Sequence, residues 1–153
     1  MNRFDRLCTL IASVFYIGYF PVAPGSMGSF AALFLYYFVR KSPELLGISI
    51  VACFFLGILT SQRAEKVLGR KDSGEIIIDE FTGMLLSLYL LPPTIGYVVA
   101  AFVLFRFFDI VKPKPINKLE KLPGSWGVML DDLMAGVYAN LILRVVWMVT
   151  VTR

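Results

Sequence analysis

Five carboxylates and one arginine interrupt sequence that is otherwise apolar: Asp79 with Glu80, Arg106 with Asp109, and Asp131 with Asp132. Ionised groups inside hydrocarbon are costly, so each such residue calls for a partner or a function. The three groups belong to three separate apolar stretches and fall near their ends, which brings them to one depth on one side of a membrane. Carboxylates gathered there repel one another unless a cation joins them. An all-oxygen donor set suits Mg²⁺, with Mn²⁺ as the alternative. Helical spacing sharpens the picture. Arg106, Asp109 and Lys112 recur every three residues and share one helix face. Glu80, Gly83 and Ser87 form a second stripe, and Asp132, Gly136 and Ala139 a third. Small residues beside an acid suit faces where helices approach closely, so the acids are expected to point inward. The plainer explanation is that the acids stabilise helix N-termini and that Arg106–Asp109 is a structural ion pair. It leaves unexplained why both acidic sites are doubled, because one acid suffices to cap a helix.

A second feature lies upstream. Pro24-Gly25-Ser26-Met27-Gly28-Ser29 precedes the apolar run 30–39. Read as an irregular loop ahead of a helix, Gly25, Ser26, Gly28 and Ser29 offer backbone N–H groups and a positive helix end to an anion. Such a stretch is more often only a turn, but irregular backbone at membrane depth is tolerated only against a cavity or protein. Lys112-Pro113-Lys114-Pro115 adds two cations on a stiffened segment beside Asp109. A metal-binding acid cluster, an anion loop and flanking cations together describe a site for a lipid phosphate.

Absences narrow the chemistry. The chain has no histidine, which excludes a histidine nucleophile and any Ser-His-Asp triad. Neither Cys8 nor Cys53 is followed six positions later by arginine, and no Asp-x-Asp pair is present. Carboxylate and metal chemistry remains.

The elements that must position these groups are apolar. The 153 residues are 58% hydrophobic and 17% charged, with a mean hydropathy of +0.73, against about 45–50% and 25% in soluble domains. A soluble bundle buried throughout is the alternative, but a domain this small keeps a large wet surface. Five apolar stretches span 7–39, 45–60, 76–91, 95–111 and 126–150. The first is broken at 21–29 into a short entering helix, an irregular loop and a helix over 30–39. Pro92-Pro93-Thr94 makes a tight connection between antiparallel neighbours. The expectation is a single domain over residues 1–153: an all-α, polytopic membrane helical bundle of about four to five spans with a broken or re-entrant first segment. Several stretches fall short of the ~20 residues of a full span, which tilting or local thinning would accommodate. Arg3, Arg6 and the run 7–17 resemble a signal peptide, but no small-residue cleavage site follows, so the segment is read as retained. The two cysteines, far apart in apolar sequence, form no disulfide or zinc pattern.

The net charge of +4 does not mark a nucleic-acid partner, because the basic residues fall in the gaps between apolar stretches. With the N-terminus cytoplasmic, Arg3, Arg6, Arg63, Lys66, Arg70, Lys71, Lys112, Lys114, Lys118 and Lys121 share the inner side. Arg40, Lys41 and Arg153 lie outside. That distribution obeys the positive-inside bias and puts the acids at the cytoplasmic face.

Four blocks then carry a resemblance. Pro24-Gly25-Ser26-Met27-Gly28-Ser29, Ile78-Asp79-Glu80-Phe81-x-Gly83-Met84, Phe105-Arg106-x-x-Asp109-x-x-Lys112-Pro113-x-Pro115-Ile116 and Gly127-x-Met129-x-Asp131-Asp132-x-x-Ala135-Gly136 stand in order between residues 18 and 140. They resemble the signature blocks of the phosphatidylglycerophosphatase A family. The resemblance implies a Mg²⁺-dependent enzyme of the bacterial inner membrane that converts phosphatidylglycerophosphate to phosphatidylglycerol and inorganic phosphate. The chain departs from the family at Leu122-Pro123-Gly124-Ser125-Trp126-Gly127, where a His-Gly-Gly-like stretch is common, so no histidine there serves this chain. On this reading a subset of Asp79, Glu80, Asp109, Asp131 and Asp132 holds the cation. Arg106, Lys112 and Lys114 neutralise phosphate oxygens, with help from the Gly25–Ser29 backbone. Either a water activated by the cation or a carboxylate attacks phosphorus, or an aspartate does so and forms an acyl-phosphate. A lipid phosphotransferase is the first rival, but its Asp-Gly-x-x-Ala-Arg pattern is missing. An ion transporter is the second, but it needs acids at several depths. Arg144, the one intramembrane charge on the far side, is expected to find an interhelical partner or to snorkel outward.

Overall fold

A computed structural model describes residues 2–70 and 73–152; Lys71 and Arg153 of the charge count lie outside them. The described residues form seven α-helices and a 3-10 turn, with no strand: α1 (Arg3–Ala12), the turn Ile17–Tyr19, α2 (Pro24–Val39), α3 (Pro43–Leu68), α4 (Ile78–Ser87), α5 (Ile95–Val111), α6 (Ile116–Leu119) and α7 (Ser125–Val151). The all-helical class is as expected. Only α3 and α7, with 26 and 27 residues, are long and apolar enough to cross a membrane by themselves. The fuller count of four to five spans is not reached by that measure, because α2 and α5 have 16 and 17 residues and α4 has ten.

Local chemistry sets these ends. Ser42 Oγ accepts the Leu45 N–H at 3.3 Å, Pro43 and Glu44 follow, and Gly69 closes α3 at φ 71°, a start and stop of the favoured kinds. α2 corrects one expectation. Ala23 takes a left-handed conformation (φ 48°) and Pro24 opens the helix, where its missing N–H removes no bond. Met27 N–H already bonds Ala23 O at 3.1 Å. Residues 25–29 are therefore helical, and the irregular backbone lies earlier, where Val14, Phe15 and Tyr16 have φ of 47°, 57° and 66°. At the N-terminus Asn2 and Asp5 cap one another, and Asp5 pairs with Arg63 of α3 at 2.7 Å.

α4 and α7 touch backbone to backbone. A Cβ on Gly136 would collide with the Gly83 carbonyl, and one on Gly83 would stand 2.5 Å from Asp132 O and 2.6 Å from the Phe105 ring. The stripes of small residues expected from spacing thus meet. Around them Met84, Leu85, Leu88, Phe105, Ala135 and Ala139 are buried. Large apolar side chains such as Phe34, Leu59, Ile110 and Val149 face outward, an exposed apolar surface that marks a contact with lipid or protein.

α4 ends inside the bundle, and its last carbonyls need donors. Asn140 Nδ2 donates to Ser87 O at 3.1 Å and to Tyr89 O at 2.8 Å. Arg144 Nη2 reaches the same Tyr89 oxygen at 3.1 Å, while its Nε donates to Asn140 Oδ1 at 2.7 Å. Of the two outcomes expected for Arg144, the interhelical partner is the one found.

Gly136→Ala is expected to cost about 2–3 kcal/mol, because the added methyl meets backbone that cannot rotate away. Gly96→Ala, with nothing within 4 Å of its Cβ position, should leave the protein unchanged; thermal unfolding in detergent separates the two. Asn140→Ala should lower the same midpoint by leaving buried carbonyls short of donors, at about 1–3 kcal/mol.

Candidate active site

Three helices deliver the acids to one place. Asp79 and Glu80 lie in the first turn of α4, Asp109 in the last turn of α5, and Asp131 and Asp132 early in α7. All five line one cavity of 550 Å³, together with Lys112, Glu120, Lys121, Leu122, Gly124 and Val128. The glycine crossing explains the meeting. Gly83 is four residues beyond Asp79 and Gly136 four beyond Asp132, so backbone contact at one turn brings the acids together at the next.

Within the cavity the acids are not equivalent. Carboxylate oxygens of Asp79, Glu80 and Asp132 lie within 4.8 Å of one another. Asp79 and Asp132 are buried, and Glu80 Oε2 is shielded with no hydrogen-bond partner. Asp131 instead receives Lys112 Nζ at 2.6 Å, and Lys112 also stands 3.5 Å from Glu120. Lys112 follows α5 at φ 45°, a left-handed residue at the helix end that turns the chain toward α7. Burial opposes its charge, but contact with Asp131 outweighs this and holds the ammonium above the usual lysine range. Asp109 pairs with Arg106 Nη1 at 2.6 Å. The doublets share a device: Asp79 Oδ1 accepts the Glu80 N–H at 3.0 Å, and Asp131 Oδ1 the Asp132 N–H at 2.9 Å. Each first acid is oriented by the next amide.

The remaining sequence candidates are placed otherwise. Gly25 backs onto the acids: a Cβ there would collide with Glu80 Oε1 and stand 3.0 Å from Arg106 Nη1. Gly28 packs against Ile77, with 3.0 Å between its Cβ position and the Ile77 Cβ. The Ser29 hydroxyl donates to Gly25 O at 3.1 Å, inside the helix. Neither these three nor Ser26 lines the cavity, and Arg106 stands behind Glu80 and Asp109 rather than in the cavity wall. Lys114 is exposed, with its carbonyl accepting from Tyr138 Oη at 3.0 Å.

One wall went unread in the sequence. Glu120, Lys121, Leu122 and Gly124 come from the segment between α6 and α7, which has no helical period to place it. The one usable signal was Pro123-Gly124 ahead of an apolar run, and Gly124 does take a positive φ of 62°.

Such a cavity offers an oxygen-only set for a divalent cation, a lysine held charged, and three further carboxylates, Asp109, Glu120 and Asp131. Comparison with known proteins gives the family. The model of the family described as phosphatidylglycerophosphatase A matches residues 10–147. The chain is 38% identical to phosphatidylglycerophosphatase A of Haemophilus influenzae over 148 residues, covering 91% of this chain and 89% of the relative. It is 36% identical to phosphatidylglycerophosphatase A of Escherichia coli over 137 residues, 88% and 80% of the two. A Bacteroides thetaiotaomicron protein with the provisional name phosphatidylinositol-3-phosphatase is 36% identical over 154 residues, 95% and 96% of the two. No solved structure matches the chain significantly. A match running through every helix that supplies a cavity acid makes this chain a member of the phosphatidylglycerophosphatase A family, phosphoric monoester hydrolases.

Proposed function

We propose that the chain hydrolyses the terminal phosphomonoester of phosphatidylglycerophosphate, releasing phosphatidylglycerol and inorganic phosphate. The reaction takes place at the cytoplasmic face of the bacterial inner membrane. The observation that carries this reading is the convergence of Asp79, Glu80 and Asp132, within 4.8 Å, on the wall of a polar cavity. α3 and α7 cross the bilayer, α2, α4 and α5 complete a bundle of four to five passes, and the irregular segment before α2 re-enters. The excess of basic residues around the cavity end puts that end inside.

The donor set fits a hard divalent cation. Its oxygens are buried, converge from two helices and include a shielded carboxylate oxygen without a partner. Asp79, Glu80 and Asp132 would hold Mg²⁺, with Mn²⁺ as substitute. When bound, the ion supplies Lewis acidity and charge neutralisation to a phosphoryl oxygen. Lys112, held by Asp131, meets a second phosphoryl oxygen. Arg106 fixes Asp109 and backs Glu80 from outside the cavity. A water oxygen bonds to phosphorus as the bond from phosphorus to the glycerol oxygen breaks. The proton leaving the water passes to Asp109 or Asp131, helix-borne acids not committed to the cation, and returns to the departing glycerol oxygen.

Purified protein in detergent micelles with phosphatidylglycerophosphate should release phosphate, fall silent with EDTA and recover with Mg²⁺. Asp79→Asn and Asp132→Asn should each lower kcat by about two orders of magnitude. Near-parental activity in both folded variants would remove the cluster from the chemistry. The name of the Bacteroides relative puts a monoester on an inositol ring, so phosphatidylinositol 3-phosphate is the comparison substrate. A requirement for a nucleotide would point to the phosphotransferase instead.

Cation binding gives a separate readout. Mn²⁺ bound to the protein without lipid, followed by electron paramagnetic resonance, should be weakened in Asp132→Asn. It should be retained in Asp131→Asn, whose defect should appear in turnover and KM rather than in cation binding.

A further inference from the structure

The cavity carries six acids, Asp79, Glu80, Asp109, Glu120, Asp131 and Asp132, against two lysines, Lys112 and Lys121. Lys112 is engaged, at 2.6 Å from Asp131 and 3.5 Å from Glu120. Lys121 lines the same cavity, is exposed, and makes no ion pair among the described residues. Its backbone is nonetheless fixed. Lys121 N–H bonds Lys118 O at 3.3 Å, and Leu122 N–H bonds Leu119 O at 2.9 Å. The segment is also seated on the first turn of α7, where a Cβ on Gly127 would stand 2.6 Å from Leu122 O and 2.8 Å from Glu120 O. A cation without a partner is thus held on a clamped rim, over an otherwise acidic cavity.

This inference rests on the proposed hydrolase reading. With the monoester and Lys112 engaged at the acid cluster, Lys121 is the cavity cation left for a second anionic group of the substrate. Phosphatidylglycerophosphate has such a group, the phosphodiester that joins glycerol to the diacylglycerol. We infer that Lys121 is a specificity-determining residue that receives this phosphodiester. The site therefore selects lipids carrying both a phosphodiester and a distal monoester over lipids carrying the monoester alone.

Steady-state hydrolysis of phosphatidylglycerophosphate in neutral detergent micelles tests this, with phosphatidic acid as competitor because it carries the monoester without the phosphodiester. Lys121→Ala should raise KM about three- to fivefold, the range of an exposed ion pair, with kcat unchanged. Phosphatidic acid should compete better against that variant than against the wild type by the same factor. Lys121→Arg should restore both values. Lys118→Ala, an exposed cation outside the cavity, should behave as wild type. Added salt should raise KM for the wild type more than for Lys121→Ala. An unchanged KM in Lys121→Ala, or an equal rise in Lys118→Ala, overturns the inference while leaving hydrolysis intact. Wild-type protein that releases no phosphate from this lipid overturns the hydrolase reading, and this inference with it, before any variant is compared.

Discussion

The direct contact between the backbones of α4 and α7 at Gly83 and Gly136 is the constraint on which the site depends. Helices packed through ordinary side chains stand about 8–10 Å apart, and acids one turn from the crossing would then be spread too widely to share a cation. Two glycines in register remove the side chains from between the axes. Asp79 and Glu80 can then meet Asp132 with carboxylate oxygens inside 4.8 Å. Phe105 closes the third side by packing its ring against Gly83, which also fixes the face of α5 that bears Arg106 and Asp109. In lipid, where apolar burial gives little drive for helix association, close packing of this kind is a principal source of affinity between helices.

That crossing has a consequence at the other end of α4. A helix of ten residues that starts at the acids ends within the bundle, so its terminal carbonyls need donors there. Asn140 and Arg144 lie four residues apart on α7, on the face already turned to α4, and supply the missing donors. The same pair of helices is thus fastened by backbone contact in the middle and by hydrogen bonds at the far end. The near end is left free to carry unbalanced negative charge. Arg144 is a structural cation, and its chemistry answers the shortness of α4.

Much of this was legible in the residues. The bounds of α5 match the apolar run 95–111 because Pro93 and Lys112 punctuate it. α7 matches the run 126–150 to within a residue at each end. The acids could be assigned to one end because each doublet sits near the edge of its stretch. The small-residue stripes could be read because helical periodicity puts Gly83 beside the acids of α4 and Gly136 beside Asp132. What failed to show has physical causes. Gly25 to Ser29 look like a turn by composition, yet a left-handed Ala23 and Pro24 start the helix before them, and the missing side chains of Gly25 and Gly28 serve close approach to Glu80 and Arg106 and to Ile77. α4 looks longer than it is, because Leu88 to Leu91 continue its apolar character while Leu90 turns left-handed (φ 57°) ahead of Pro92 and Pro93. The preference of Lys112 for Asp131 over a position along its own helix depends on a left-handed turn that spacing alone does not reveal.

The site divides by the kind of backbone that carries it. The acids proposed for the chemistry stand on α4, α5 and α7, whose relative positions are locked by glycine contacts and by a buried core that tolerates little change in volume. Glu120 and Lys121 stand on a segment with few buried side chains, tied to the bundle chiefly by its seat on Gly127. Substitution on that segment changes charge at the rim without moving the helices. Substitution at Gly83 or Gly136 moves every acid at once. A cavity built in this way can keep one reaction while the rim is altered to suit different headgroups. The physical reason is that hydrogen bonds from an exposed loop residue are nearly independent of the packing that sets the distance between Asp79 and Asp132.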